Sequence, residues 1–187
     1  LGEMSRGPVF LLGDLRQAGM PYARRFFNAI QGYEGPVIVE FFGPVDQSYM
    51  EMFAAALPNF FVEFSPESHD PAVRVASGKR YTNQEIEDTI GVSLAAGARR
   101  FDLFFMIGMP EQTAESALGS VDYARRLLER FDDGRLIPFT SPLAPFLDPG
   151  SLAYEHPERF GYRRYADTLQ DHRELLLKPS WKHILSY

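Results

Sequence analysis

The run Phe101-Asp-Leu-Phe-Phe-Met-Ile107 breaks at Gly108, turns through Pro110 and feeds a helix opened by Thr113. An apolar strand that passes to a helix through a glycine- and acid-bearing loop belongs to α/β architectures, whose ligands gather beyond the carboxyl ends of the strands. The unit recurs along the chain. Apolar runs at Val9–Leu12, Val37–Phe42, Phe60–Ser65 and Leu136–Thr140 join Phe101–Ile107 as predicted strands, and helical periodicity fills the intervals. This rhythm predicts parallel βαβ units with right-handed crossovers.

After the first run, Ala23, Phe26, Phe27 and Ile30 recur at helical spacing between Pro21 and Gly32. After the second, Asp46 is placed to cap a helix with Met50, Phe53, Ala54 and Leu57 on its inner face. Asp70-Pro71 opens a short helix that Gly78 ends. Thr82-Asn-Gln-Glu85 is a capping box for a longer one that presents Ile86, Ile90 and Leu94 to the sheet. Beyond the fourth run, Ala117, Val121, Ala124, Leu128 and Phe131 repeat at 4-3-4-3 spacing. From Ser141 the pattern changes, with Pro142, Pro145, Pro149 and Gly150 punctuating an irregular segment. Short helical stretches follow around Glu158, over Tyr165–Leu177 and over Pro179–Leu185. The predicted organisation is a barrel-like unit over 1–140 with a C-terminal extension over 141–187 packed on it.

Period-two reading separates the faces of the strands. Val37, Val39 and Phe41 oppose Ile38, Glu40 and Phe42; Phe60, Val62 and Phe64 oppose Phe61, Glu63 and Ser65. Phe101, Leu103, Phe105 and Ile107 oppose Asp102, Phe104, Met106 and Gly108. In the last run, Ile137 and Phe139 are grouped with the apolar set, against Leu136, Pro138 and Thr140. One face is then wholly apolar and belongs under helices, while the other carries carboxylates at similar heights. A flat doubly wound sheet needs both faces apolar. The expected fold is therefore a partial TIM-like (β/α) barrel of about five parallel strands, with helices outside and an irregular helical tail. Five strands do not close an eight-stranded barrel, and an unclosed edge offers a strand to a second copy.

At 187 residues and 45% hydrophobic content, the chain can bury one sizeable core. A net charge of −6 argues against nucleic acid as the main partner, because phosphate binding needs a basic surface. No apolar run approaches the roughly 18 residues of a membrane span, and Leu1-Gly-Glu-Met-Ser-Arg6 has no signal-peptide pattern. Zero cysteines exclude disulfides and fit a cytoplasmic protein. A start at Leu1, close to a strand-like segment, reads as a piece excised from a longer protein.

The predicted rim collects Gly13 with Asp14, Glu40, Ser65 with Glu67, Ser68 and His69, Gly108 with Glu111, and Thr140. Gly13-Asp14 either admits a ligand close to the backbone or is a tight turn with a solvated carboxylate. Glu40 and Glu63 lie within apolar strands, so each must pair with a cation or face a wet lumen. Ser65-Pro-Glu-Ser68 could offer hydroxyls and a carboxylate to a diol such as ribose, or serve as a helix lead-in. Arg99-Arg100 and Arg125-Arg126 read as solvated helix ends. The histidines at 69, 156, 172 and 183 show no HxH or HExxH spacing, and no GxGxxG, P-loop or GxSxG is present.

Two motifs in order resemble the radical S-adenosylmethionine (SAM) superfamily. Ser65-Pro-Glu-Ser-His-Asp-Pro-Ala-Val-Arg74, running through Gly78-Lys-Arg-Tyr-Thr82, looks like that family's fourth strand and its following loop. Met106-Ile-Gly-Met-Pro-Glu-Gln-Thr113 is similar to its next strand. The likeness covers roughly residues 8–140, and the tail resembles that of the cobalamin-associated class. It implies a partial barrel with SAM across the open rim. A 4Fe-4S cluster there cleaves SAM to a 5′-deoxyadenosyl radical. Gly13 and Asp14 would meet the methionyl amino group, and Ser65, Glu67 or Ser68 the ribose hydroxyls. Met106 to Gly108, with residues near Phe139, would line the adenine pocket; Glu40 and Thr140 complete the implied cofactor site. The CxxxCxxC loop is missing, so the resemblance implies a fragment that is inactive alone, with any cobalamin held by a missing N-terminal domain. Two readings stay beside it: a metal-dependent barrel lyase or isomerase using Asp14, Glu40, Glu67 and His69 with Mg²⁺ or Zn²⁺, and a non-catalytic binding domain.

Overall fold

The structure is a computed structural model that describes residues 7–142, 147 and 149–179. Five parallel strands form one sheet in the order β1 (Val9–Leu12), β2 (Val37–Phe41), β3 (Phe60–Glu67), β4 (Phe101–Ile107) and β5 (Leu136–Pro142). Between them run α1 (Met20–Ile30), α2 (Gln47–Ala56), α3 (Pro71–Ala76), α4 (Asn83–Ala95) and α5 (Ala114–Arg130). Spatial order follows sequence order with no reversal. Right-handed crossovers taken always in one direction place every helix on the same side of the sheet. This is the arc of a partial TIM-like barrel, with one face under helices and the other open.

The covered face is the apolar one. Val37, Val39, Phe41, Phe60, Val62, Phe64, Phe101, Leu103 and Phe105 are buried there against Phe27, Met50, Phe53, Ile86, Ile90 and Leu94 from the helices. Phe53 is its hub, with ring centroids 5.5 Å from Phe27, 6.2 Å from Phe41 and 5.3 Å from Phe60. Each such edge-on pair adds about 0.5–1.5 kcal/mol beyond area burial. The predicted caps form: Asp46 accepts from the Tyr49 amide, Asp70 from Ala72, and Thr82 with Glu85 closes a reciprocal box.

Three expectations change. In β5, the register pairs Phe101 with Leu136 and Phe105 with Thr140, so Leu136, Pro138 and Thr140 share the helix-side face. Ile137 and Phe139 lie on the open face, where Phe139 stacks on Phe104 at 5.0 Å. Period two fixes parity within a strand, but only the ladder fixes which parity meets the neighbour. In α5, Val121 and Leu128 are exposed while Ser116, Ser120, Tyr123, Ala124 and Leu127 face inward. Small serines let that helix approach closely, a contact that an apolar stripe does not reveal. Finally, β3 runs two residues past Ser65. Phe64 pairs with Leu103 and Glu67 with Phe105, three steps against two, so one extra residue bulges around Pro66.

The tail holds α6 (Leu152–Glu155), a 3-10 turn at Pro157–Phe160 and α7 (Leu169–Leu176). The Tyr162 hydroxyl donates to the Gly108 carbonyl at 2.9 Å, which ties this region to the β4 end of the rim. The helical stretch expected over Pro179–Leu185 lies outside the described residues, save Pro179 itself. Among the described residues, no helix is long and apolar enough to cross a membrane.

Candidate functional site

The open face carries a lateral row. Register aligns Leu12, Glu40, Glu63 and Asp102 on successive strands, with Ile137 next to Asp102. Asp102 is held by Arg100, whose guanidinium reaches Oδ2 at 2.7 Å and lies over the Phe61 ring. Arg100 is therefore a partner of this row rather than a solvated helix end. Burial pushes the Glu63 carboxyl up, its neighbours Glu40 and Asp102 push it further, and Arg100 opposes. An acid raised in the folded state binds its proton more tightly there than when unfolded. Its stabilising contribution is therefore complete at low pH and is lost as pH rises through the window above 4.5. Glu63→Gln is accordingly expected to raise the melting temperature at pH 7 by roughly 2 °C, a gain that fades near pH 4. Equal melting temperatures at pH 7 would show that the row carries no repulsion.

Toward the carboxyl ends, β3 and α3 build a tighter cluster. Helix α3 ends in a Schellman motif: Gly78, at φ 80°, donates to Val75, and the Lys79 amide donates to the Arg74 carbonyl at 2.8 Å. That turn sends Lys79 back over the sheet. Its Nζ donates to the Ser65 carbonyl and to Glu67 Oε1, the latter at 2.5 Å. Glu67 sits at φ 68°, a region a non-glycine residue seldom adopts. Its Oε2 is buried with no hydrogen-bond partner, and so is the Tyr81 hydroxyl. Burial raises the Glu67 carboxyl; the Lys79 ammonium pulls it down and Glu40 adds repulsion. Desolvation wins despite the ion pair. Burial likewise raises Glu40, against Lys79 and the nearby Ser65 hydroxyl. Burial, reinforced by the charge of Glu67, raises the Tyr81 phenol above its ordinary range.

Arg74 braces this cluster from beneath. Fully buried, it donates to the carbonyls of Ser68, His69 and Tyr81 and to Asn83 Oδ1. Ser68 is fully buried, and its hydroxyl accepts from the Asp70 amide, which makes it part of the loop frame. Asp14 caps the 3-10 turn at Leu15–Ala18, and both its oxygens take the Arg16 guanidinium, which also reaches the Pro44 carbonyl. Gly13 precedes it at φ 101°. At the β4 end, Gln112 accepts from Gly108 and donates to the Met106 carbonyl. Gly108 is exposed and Met106 half-buried.

The structure thus brings Glu40, Ser65 and Glu67 together, with Met106 and Gly108 across on β4. Thr140 lies on the other face, and Asp14 is engaged by Arg16. His69 points to α5, where its Nδ1 lies 3.1 Å from Ser120 Oγ and burial lowers its basicity. It is not gathered with Asp14, Glu40 and Glu67. Among the described residues, no group of three or more His, Cys, Asp and Glu is arranged to hold a metal ion. Sequence reading missed Lys79, Arg74 and Tyr162. Gly78 was a signal for the Schellman turn, and hence for where the next residue points; nothing local marked the other two.

Comparison with solved structures places the fold. TsrM, a radical S-adenosylmethionine methyltransferase from Kitasatospora setae solved with its tryptophan substrate and the SAM analogue aza-SAM, gives a TM-score of 0.55 at 16% identity, over 68% of this chain and 25% of that one. TsrM with cobalamin and a 4Fe-4S cluster gives 0.55 at 16%, over 69% and 26%. Coproporphyrinogen III oxidase HemN from Escherichia coli, a radical SAM enzyme, gives 0.53 at 11%, over 66% and 28%. The chain spans about a quarter of the length of these proteins, and the likeness is one of fold. No protein-family model matches it, and no curated protein does.

Proposed function

We propose that this chain is the SAM-binding portion of a radical SAM enzyme, with the cofactor lying across the carboxyl rim of the open face. The observation that carries this reading is the unfilled Oε2 of Glu67, buried at a strained residue beside an equally unfilled Tyr81 hydroxyl. Buried polar atoms without partners are costly, and strained backbone concentrates at ligand sites. A ribose diol both donates and accepts, and can satisfy the two at once. Lys79 supplies a cation for the methionyl carboxylate. Because Arg16 occupies Asp14, the amino group falls to Glu40. The Phe104–Phe139 stack with Met106 offers a flat apolar wall to adenine.

Bound nearby, a 4Fe-4S cluster would supply the electron that cleaves SAM to a 5′-deoxyadenosyl radical. A chain with no cysteine contributes no thiolate ligand to it. The radical step therefore belongs to the intact protein, and this chain alone is expected to be inactive. Its own residues bind and orient the nucleoside and hold charge against the methionyl ends.

Equilibrium dialysis of radiolabelled SAM against this chain tests the assignment. Saturable binding is expected, weakened about tenfold by Glu67→Gln with the circular dichroism spectrum unchanged. No saturable binding, or equal affinity in the variant, would remove the proposal.

A further inference from the structure

A hollow lies away from the rim cluster. It is a cleft of about 610 Å³ between the end of α3, the β4–α5 loop and the tail segment 151–162. Successive residues after Gly78 diverge: Lys79 reaches Ser65 and Glu67 on the sheet, whereas Arg80 lines this cleft. Arg159 approaches it from the 3-10 turn of the tail, and the walls include Val75, Met109, Leu152 and Phe160. Among the described residues, the lining holds no carboxylate, and neither arginine makes an ion pair or side-chain hydrogen bond. Several exposed arginines of this chain have no acid partner, but Arg80 and Arg159 line the same cleft, with largely apolar neighbours and no acid among its described lining residues.

Guanidinium forks match carboxylate, sulfonate and phosphate oxygens, and a pocket with apolar walls and a few placed polar groups suits a small molecule with an apolar body. We infer that this cleft is a binding site for a small amphipathic anion: an aromatic or aliphatic body against Phe160, Leu152 and Met109, and an acidic group between Arg80 and Arg159. The site shares no residue with the SAM cluster, so either assignment can fail without the other.

The probe is 8-anilinonaphthalene-1-sulfonate, with uncharged N-phenyl-1-naphthylamine as its neutral counterpart, titrated into protein carrying ¹³C-methyl methionine. Met109 reports the cleft, and Met106 reports the open sheet face, whose exposed Phe42 and Phe139 are the competing apolar surface. Expected are a saturable shift of the Met109 methyl with the sulfonate, and about tenfold weaker sulfonate binding in the double variant Arg80→Gln, Arg159→Gln. The neutral probe should bind both proteins equally. Both arginines are exposed, so the variant should fold as the wild type does. Unchanged sulfonate affinity in the variant, an equal loss for the neutral probe, or shifts at Met106 without Met109 would each overturn the assignment.

Discussion

Replacing Arg74 by methionine is expected to lower the unfolding free energy by about 3–5 kcal/mol, read from urea denaturation. Methionine fills much of the volume but leaves the carbonyls of Ser68, His69 and Tyr81 and the Asn83 amide oxygen without their donor. Hydrogen bonds from a charged donor contribute about 1.5–3 kcal/mol each, and acceptors left buried bring a desolvation cost. The penalty is partly offset because Arg74 is itself expensive to bury. Burial pushes its basicity down, and its Nη2 finds no partner. Lysine should recover only part of the loss, since one ammonium cannot span acceptors on both sides of the helix α3 turn. A loss under about 1 kcal/mol for methionine would mean that water takes over those carbonyls, and that the loop does not depend on its arginine.

What the sequence could and could not reveal follows from the range of each interaction. Caps and stops at Asp46, Asp70, Thr82 and Gly78 act over three or four residues, and the pattern of side chains discloses them directly. The helix-side faces of β2, of β4 and of β3 as far as Phe64 were equally legible, because alternation there is unbroken up to the bulge at Pro66. Failure begins where two segments must meet. Whether Leu136 or Ile137 faces the helices depends on the β4 ladder, not on β5 itself. The inward serines of α5 are chosen by how near the helix lies to His69 and the sheet; a Cβ at Gly119 would come within 2.6 Å of that ring. Site residues divide likewise. Glu40 stood out as a charge within an apolar strand and Glu67 as a carboxylate flanked by serines at a strand end, whereas Lys79 is an ordinary surface residue until the Schellman turn folds it inward. Asp14 failed to separate from its bland alternative because Arg16, two residues on, can consume it without any ligand.

Lys79→Met is expected to leave the protein close to wild-type stability at pH 5 and about 3 kcal/mol less stable at pH 8. The groups facing Nζ are the Ser65 carbonyl and Glu67, with Glu40 near enough to feel its charge. Burial already lifts both carboxyls, and Lys79 is the cation that opposes the lift in each. Without it both must rise further, so the folded variant holds protons that its unfolded chain releases. With more protons bound in the folded state, stability falls as pH climbs above the ordinary glutamate value of 4.5. As pH falls toward the ordinary glutamate value the orphaned acids take up protons and become cheaper to bury; at pH 8 they must either stay protonated against the solution or sit charged and unpaired. Adding Glu67→Gln to Lys79→Met should restore most of the deficit at pH 8, because the amide removes the charge that lost its partner. A deficit that stays constant from pH 5 to pH 8, or a double variant no better than the single one, would assign Lys79 to packing of its stem alone. The rim would then have no electrostatic frame in which to hold a zwitterionic ligand.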